Sequence, residues 1–314
     1  MYAEDVNCLQ GAGEDLQSGV PEVEEAKKQK QSVAQRWLTA LIAIPIVLLF
    51  VWFGGWAAFA ATLLVLVLCT IELHNMLFHA GYRPLIWVSL ALSTLFLVAA
   101  MFPLYRLVLL EWGFGMTLLI SFLCLLTRKQ LDGALVDWAL TLAISLYLGW
   151  SFSCFLLLRG YQPGLLHFTP NFSISFPPGG WWLLFVMLGV WGCDSAAFFT
   201  GRYFGRHKLA PRVSPGKTWE GFVGGMVLAV VAALVLTVAQ LGVPWYLAIV
   251  FGLLLGGAAV LGDLAESLMK RQTRVKDSGQ MMPGHGGMLD RVDSLLFAVI
   301  VVYACAQILP LLVK

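Results

Sequence analysis

The chain has 314 residues, of which 59% are hydrophobic and only 12% are charged. Soluble globular domains carry about a quarter charged residues, so this composition excludes a soluble protein and indicates a polytopic membrane protein. The net charge of +2 indicates no particular partner, because the basic residues are spread along the chain. The six cysteines lie far apart, which indicates neither a disulfide framework nor a zinc site.

The amino-terminal segment, residues 1–36, differs in composition from the rest of the chain. It is acidic as far as Glu25, basic from Lys27, and poor in large apolar residues. Such a segment cannot bury enough apolar surface to fold, and it lacks the apolar stretch that a signal peptide has near its start. We therefore expect a mobile cytoplasmic tail, followed by a transmembrane domain over residues 37–314.

Apolar runs of membrane-spanning length follow the predicted tail. A spanning helix needs about 20 predominantly apolar residues. The candidate segments are 37–53, 56–77, 85–102, 107–126, 136–158, 181–200, 220–240, 244–264 and 293–312. The sequence therefore predicts an all-α integral membrane protein of about nine transmembrane helices.

Lysines and arginines indicate the orientation, because they accumulate on cytoplasmic loops. With the amino terminus in the cytoplasm, most of the 20 basic residues fall on the tail or on even-numbered loops. The exceptions are Arg106, Arg159 and Lys314. The predicted topology has a cytoplasmic amino terminus, a carboxyl terminus outside, and polar cytoplasmic loops at 201–219 and 265–292.

Acidic residues at two helix ends are the first candidates for chemistry. Asp290 and Asp293 are three residues apart, which places both carboxylates on one face of the ninth helix. Asp263 and Glu266 have the same spacing at the end of the eighth helix. Carboxylates from two helix ends are the hard oxygen ligands that magnesium prefers. The alternative is ordinary ion pairing with the nearby bases Lys270, Arg271 and Arg291.

A glycine-rich segment, residues 283–287, lies between these acids. It reads Pro-Gly-His-Gly-Gly, a sequence that can turn sharply and let a ligand approach the backbone. Exposed N–H groups next to a helix start form a cradle for phosphate. His285 is a candidate for phosphate binding or proton transfer, and capping of the turn is the alternative.

The loop over 201–219 predicts a polyphosphate site. It holds five cations and ends in Gly216-Lys217-Thr218 just before a helix. A Walker P-loop is excluded, because Pro211 occupies the position of its first glycine and no preceding β-strand is predicted. The alternative is a basic loop that only fixes the topology.

Asp194 is an ionisable residue within the predicted sixth helix, where such residues are costly and commonly functional. It raises the alternative of a secondary transporter with a proton or ion pathway through Asp194. The crowding of polar residues at one membrane face argues against transport. Glu72 and His74, near the cytoplasmic end of the second helix, are weaker candidates, because they are close enough to the headgroups to be interface residues. A CDP-alcohol phosphotransferase is disfavoured, because residues 262–266 lack the DGxxAR pattern of that family.

Residues 267–293 resemble the carboxyl-terminal signature of the bacterial phosphatidate cytidylyltransferase family, also called CDP-diacylglycerol synthase. The matching residues are Ser267, Lys270, Arg271, Lys276, Asp277, Pro283, Gly284, His285, Gly286, Gly287, Asp290, Arg291 and Asp293. A second block matches at 214–218, and the resemblance covers residues 37–314. One departure is Ala-Ala-Phe at 196–198, where the family has Gly-Ala-Tyr.

The resemblance implies transfer of the cytidylyl group of CTP to phosphatidate, giving CDP-diacylglycerol and pyrophosphate in phospholipid biosynthesis. It implies a multi-pass protein of the bacterial cytoplasmic membrane that uses magnesium, with a second, monovalent cation as an option. It implies no nucleic-acid partner and leaves a homodimer open. The implied metal ligands are Asp263, Asp290 and Asp293. Lys270 and His285 are the other implied catalytic residues. The implied substrate-binding residues are Asp194, Ser214, Lys217, Arg271, Lys276, Gly286, Gly287 and Arg291.

Overall fold

The computed structural model describes residues 45–129, 131–162, 176–279 and 286–313. These residues form a helical bundle with one short antiparallel hairpin. The predicted tail, the first part of the predicted first helix and His285 lie outside the described residues.

The helices are numbered in chain order. Helix α1 is described over residues 45–53. The following helices are α2 (Gly55–His79), α3 (Ile86–Met101), α4 (Arg106–Leu126), α5 (Ala134–Arg159), α6 (Pro178–Phe204), α7 (Trp219–Leu241), α8 (Trp245–Gln272) and α9 (Leu289–Leu312). A 3₁₀ turn, Pro103–Tyr105, leads into α4. Between α6 and α7, β1 (Lys208–Ala210) pairs with β2 (Ser214–Thr218).

The described helices confirm an all-α, multi-pass membrane protein. Seven helical segments in the described ranges are long and apolar enough to cross a membrane, namely α2 and α4 to α9. Helix α3 is also apolar but has only 16 residues. The predicted number of nine spans and the predicted sides of the two termini stay predictions.

Two predicted loops are shorter than expected, because helices continue past the apolar runs. Helix α6 extends to Phe204 and α8 to Gln272, and α9 begins at Leu289 rather than at residue 293. Residues 265–272 are rich in strong helix formers such as Glu, Leu, Met, Lys and Arg, so the helix continues beyond the membrane-spanning part. Glu266 and Lys270 therefore lie on a helix and not in a loop.

Two apolar clusters hold the bundle together. The first joins α6, α7, α8 and α9 through side chains such as Trp182, Phe251 and Val302. The second joins α2, α3, α5 and α9 through side chains such as Leu148 and Leu296. Helices α5 and α9 contribute to both clusters, so they lie where the two halves of the bundle meet.

Candidate active site

Helices α8 and α9 approach each other closely beside two of the predicted acids. A Cβ atom at Gly262 would lie 2.5 Å from the carbonyl oxygen of Asp293. Glycine therefore permits a backbone contact that a larger residue would prevent. The contact brings Asp263 near Asp293, and the two carboxylates interact electrostatically.

A lysine from the hairpin completes this group of charges. The Lys217 Nζ lies 2.7 Å from Asp263 Oδ2 and 3.4 Å from the carbonyl oxygen of Val260. Asp194, which is exposed on α6, interacts electrostatically with both Asp263 and Lys217. The group defined by Asp194, Lys217, Asp263 and Asp293, here called the open cluster, thus draws on α6, the hairpin, α8 and α9.

The hairpin fixes the position of Lys217. Thr218 ends β2 and caps α7, because its Oγ1 accepts a hydrogen bond from the Gly221 N–H at 3.1 Å. At the hairpin turn, the Arg271 Nε donates to the carbonyl oxygen of Val213 at 3.3 Å, which ties the end of α8 to the hairpin. The segment predicted as a loop is therefore an ordered connection between α6, α7 and α8.

Three further charged residues form a second group, here called the frame cluster: Glu266, Lys270 and Asp290. The Lys270 Nζ contacts the Glu266 carboxylate one turn earlier on α8 and lies 2.7 Å from Asp290 Oδ1. The side chain of Glu266 is fully buried and that of Asp290 is 12% exposed. Buried acids need such a partner, because an unpaired buried charge is strongly destabilising.

Asp290 also holds the loop between α8 and α9. Its Oδ2 accepts hydrogen bonds from the Ser278 N–H at 3.0 Å, the Ser278 hydroxyl at 2.9 Å and the Gly287 N–H at 2.9 Å. Both oxygens of Asp290 are therefore engaged by donors of the chain itself. In this structure Asp290 is ion-paired and anchors the loop, and its predicted role as a metal ligand stays a prediction.

Glu72, on α2, holds the same loop from the other side. Its carboxylate accepts hydrogen bonds from the backbone N–H groups of Met288 and Leu289, each at 2.8 Å. The Ser278 Oγ lies 3.2 Å from Glu72 Oε2 and 2.9 Å from Asp290 Oδ2, so its single proton is shared between the two carboxylates. A carboxylate at this position satisfies two unpaired N–H groups at the start of α9 and complements the positive end of the helix dipole.

The interpretation of Glu72 and His74 as interface residues is wrong. Glu72 is only 2% exposed, and His74 is buried with its Nε2 2.9 Å from the carbonyl oxygen of Pro84. The partners of Glu72 lie up to 217 residues away along the chain, so the pattern of α2 alone does not indicate them. The signal available in the sequence was an acid in an otherwise apolar helix.

Glycines surround the Glu72 carboxylate, and side chains at their positions would overlap it. A Cβ atom at Gly279 would lie 2.7 Å from Glu72 Oε1, and one at Gly287 would lie 2.6 Å from Glu72 Oε2. Gly286 has a φ of 81°, which residues with a side chain rarely adopt. Close packing around Glu72 and Asp290 thus explains these glycines. The predicted phosphate-binding role of Gly286 and Gly287 stays a prediction.

We expect Gly287→Ala to lower the free energy of unfolding by about 1–3 kcal/mol, as overpacking of a filled site does. The added methyl group would meet Glu72, the Ser278 hydroxyl and the backbone of Gly279. Thermal unfolding of the purified protein measures the effect. Gly257→Ala is the matched control, because a Cβ atom there meets nothing within 4 Å. Equal unfolding temperatures for the Gly287 variant and the wild type would contradict the packing argument.

The remaining predicted residues lie around these two clusters. Ser214 begins β2 and is partly buried, whereas Arg271, Lys276 and Arg291 are exposed. Ser214 lies on the hairpin, Arg271 in the last turn of α8, Lys276 on the connection between α8 and α9, and Arg291 in the first turn of α9. Their contacts with substrate stay predictions, as does every role of His285.

The open and frame clusters adjoin each other. Asp293 interacts electrostatically with Lys270, and Glu266 interacts with Asp293. Within the described ranges, no three His, Cys, Asp or Glu side chains are grouped closely enough to hold a metal ion by themselves. Magnesium is commonly bound through one or two carboxylates together with water and substrate phosphates, and the carboxylates of Asp263 and Asp293 suit that mode.

Fold and site together define a multi-pass membrane protein with a charged, carboxylate-rich site at one end of its helical bundle. The chain belongs to the cytidylyltransferase family, whose model matches residues 34–309.

Curated relatives agree with this family. The chain is 34% identical over 303 residues to the phosphatidate cytidylyltransferase of Synechocystis, covering 88% of this chain and 98% of that protein. It is 48% identical over 124 residues to that of Haemophilus influenzae, covering 37% of this chain and 42% of the relative. It is 39% identical over 165 residues to that of Bacillus subtilis, covering 52% and 56%. The chain spans about half the length of these last two relatives.

The resemblance inferred from the sequence motifs is therefore confirmed. The alternative of a secondary transporter that uses Asp194 finds no support in these comparisons.

Proposed function

We propose that the protein transfers the cytidylyl group of CTP to phosphatidate, forming CDP-diacylglycerol and releasing pyrophosphate. The observation that carries the proposal is the open cluster, in which Lys217 pairs with Asp263 beside Asp293 and Asp194. One cation and three acids meet there at the end of a membrane-spanning bundle, where a lipid phosphate and a soluble nucleotide can both reach. The names of the relatives support the same reaction.

The reaction requires that the two substrates be positioned and that the negative charge of their phosphates be neutralised. A phosphate oxygen of phosphatidate attacks the α-phosphorus of CTP, and the bond from that phosphorus to pyrophosphate breaks. Because the lipid phosphate is itself a competent nucleophile, no covalent intermediate with the protein and no general base are required. Pre-positioned cations that neutralise the phosphates supply most of the rate enhancement in reactions of this kind.

The open cluster is better suited to bind substrate than the frame cluster. The side chains of Lys217 and Asp263 are 21% and 33% exposed, whereas that of Glu266 is fully buried. Lys217 would bind the triphosphate of CTP, and Asp263 and Asp293 would hold magnesium, with Asp290 as a further ligand. Bound magnesium would neutralise charge on the phosphates.

The same proposal places the protein in the bacterial cytoplasmic membrane, with the open cluster facing the cytoplasm. The distribution of lysines and arginines supports this orientation. Assembly as a homodimer and binding of a second, monovalent cation stay predictions.

Transfer of label from nucleotide to lipid tests the proposal. The purified protein in detergent is given CTP labelled in the cytosine ring, phosphatidate and magnesium. We expect label in a chloroform-soluble product only when all three are present, and we expect labelled ATP not to replace CTP. Folded protein that transfers no label would overturn the proposal.

We expect Lys217→Ala to lower kcat/KM for CTP by about 10- to 100-fold, as the loss of one hydrogen bond to a charged group does. The variant removes the cation 2.7 Å from Asp263 and leaves the hairpin backbone in place. Initial rates across CTP concentrations measure the effect. Lys208→Ala, on β1 of the same hairpin, is the matched control. An unchanged dependence on CTP in the Lys217 variant would count against a nucleotide site at the hairpin.

A further inference from the structure

Helix α5 contains a π-helical turn, Ser145–Trp150. Such turns are rare and occur frequently at functional sites, because they insert a residue and change where side chains project. This turn packs tightly against α3, since a Cβ atom at Gly149 would lie 2.7 Å from the Cα of Ser93. The side chain that the turn carries toward α9 is that of Tyr147.

Tyr147 lies next to the acids of the site. Its ring packs edge-on against Phe297 of α9, with ring centroids 6.1 Å apart and an interplanar angle of 62°. Phe297 and Asp293 are one turn apart on the same face of α9. Tyr147 interacts electrostatically with Asp293, with Glu266 of α8 and with Cys69 of α2.

The Tyr147 hydroxyl is buried and has no hydrogen-bond partner among the described residues. Leaving a polar group buried and unpaired costs about 1–3 kcal/mol. Nearly all buried polar groups in folded proteins have a partner, so an exception calls for an explanation. Phenylalanine would fill the same space without this cost. Packing of the fold therefore does not explain a hydroxyl at this position, whereas a role in the adjacent site does explain it.

We propose that Tyr147 is a positioning residue, whose hydroxyl donates a hydrogen bond to the Asp293 carboxylate during turnover and fixes its orientation. Asp293 Oδ1 already accepts from the Ser294 N–H at 2.7 Å, so Tyr147 serves the other oxygen. Glu266 is the second acid near Tyr147, with Lys270 paired to its Oε2, but the electrostatic effect of Asp293 on Tyr147 is larger than that of Glu266. This inference rests on the proposed function, in which Asp293 acts on the substrates or the metal.

The test is Tyr147→Phe, which removes only the hydroxyl. We expect kcat to fall about 10-fold or more, and half-maximal activity to need more magnesium, as when a residue that orients a metal ligand is lost. We expect the unfolding temperature without substrates to stay the same or to rise, because an unpaired buried hydroxyl is removed. A residue with a purely structural role would show the opposite pattern.

Tyr161→Phe is the matched control. The Tyr161 hydroxyl donates to the carbonyl oxygen of Ala306 at 2.6 Å, so its removal lowers the unfolding temperature and leaves kcat unchanged. Wild-type kcat in Tyr147→Phe would overturn the inference, and so would a lower unfolding temperature with unchanged magnesium dependence. Absence of transfer in the folded wild type would overturn the proposed function itself, and the inference with it. The wild-type and variant results thus separate the two failures.

Discussion

In Asp263→Asn we expect kcat for cytidylyl transfer to fall by about 10²- to 10³-fold, the effect of losing one preorganised electrostatic contact. The substitution keeps the shape of the side chain and removes its charge. It takes away the anion 2.7 Å from the Lys217 Nζ and the carboxylate with the largest electrostatic effect on Asp293. Asp263 is one third exposed, so the variant leaves no buried group unpaired and should still insert and purify.

Asp132→Asn is the matched control for this variant, because Asp132 is exposed on the connection between α4 and α5. Both variants are compared with the wild type at equal protein concentration, with thermal unfolding as the check on folding. Near-normal turnover in Asp263→Asn would remove this residue from the chemistry of the site.

We expect Glu72→Gln to lower the free energy of unfolding by about 1.5–3 kcal/mol, the contribution of a hydrogen bond to a charged group. An amide has one acceptor oxygen, whereas Glu72 uses both of its oxygens. The amide NH₂ group would face a backbone N–H of Met288 or Leu289, each now 2.8 Å from the carboxylate. Two donors facing each other leave both unpaired.

The same variant should reduce turnover by about 10²-fold, because small displacements of positioned groups have effects of that size. Glu72 and Asp290 hold Ser278 together, so a shift of the loop displaces the first turn of α9 and with it Asp293. Thermal unfolding and kcat are measured in parallel, with Glu111→Gln, exposed on α4, as control. Wild-type stability and turnover in Glu72→Gln would show that the loop does not depend on this carboxylate.

The spanning helices could be predicted from the sequence because a bilayer requires long apolar runs. The residues at which the helices end could not be predicted from the sequence. Composition changes at the membrane surface, but the backbone hydrogen bonds of α8 continue through Glu266 and Lys270 to Gln272. The π turn in α5 could not be predicted from the sequence either, because its residues are as apolar as those of a regular helix.

Part of the site could also be predicted. Asp263, Asp293 and Lys217 stand out as charges beside apolar runs, and the structure brings them together. Their contact depends on how the hairpin folds back onto α8, which no local pattern encodes. Glu72 was misinterpreted for the same reason, since its partners come from the far end of the chain.

The frame cluster and the open cluster have different roles in the site. The frame cluster and Glu72 are largely buried, and the contacts of Lys270, Asp290 and Glu72 hold the end of α8 and the start of α9 in place. In the open cluster Asp194, Lys217 and Asp263 are accessible and can meet phosphates, whereas Asp293 is buried behind them.

Release of pyrophosphate by the purified wild-type protein tests the account most directly. Rates are compared with CTP or ATP, with and without phosphatidate, and with and without magnesium. The account predicts release only when CTP, phosphatidate and magnesium are present together. Folded protein that releases none, or that releases it equally well without lipid or with ATP, would contradict it.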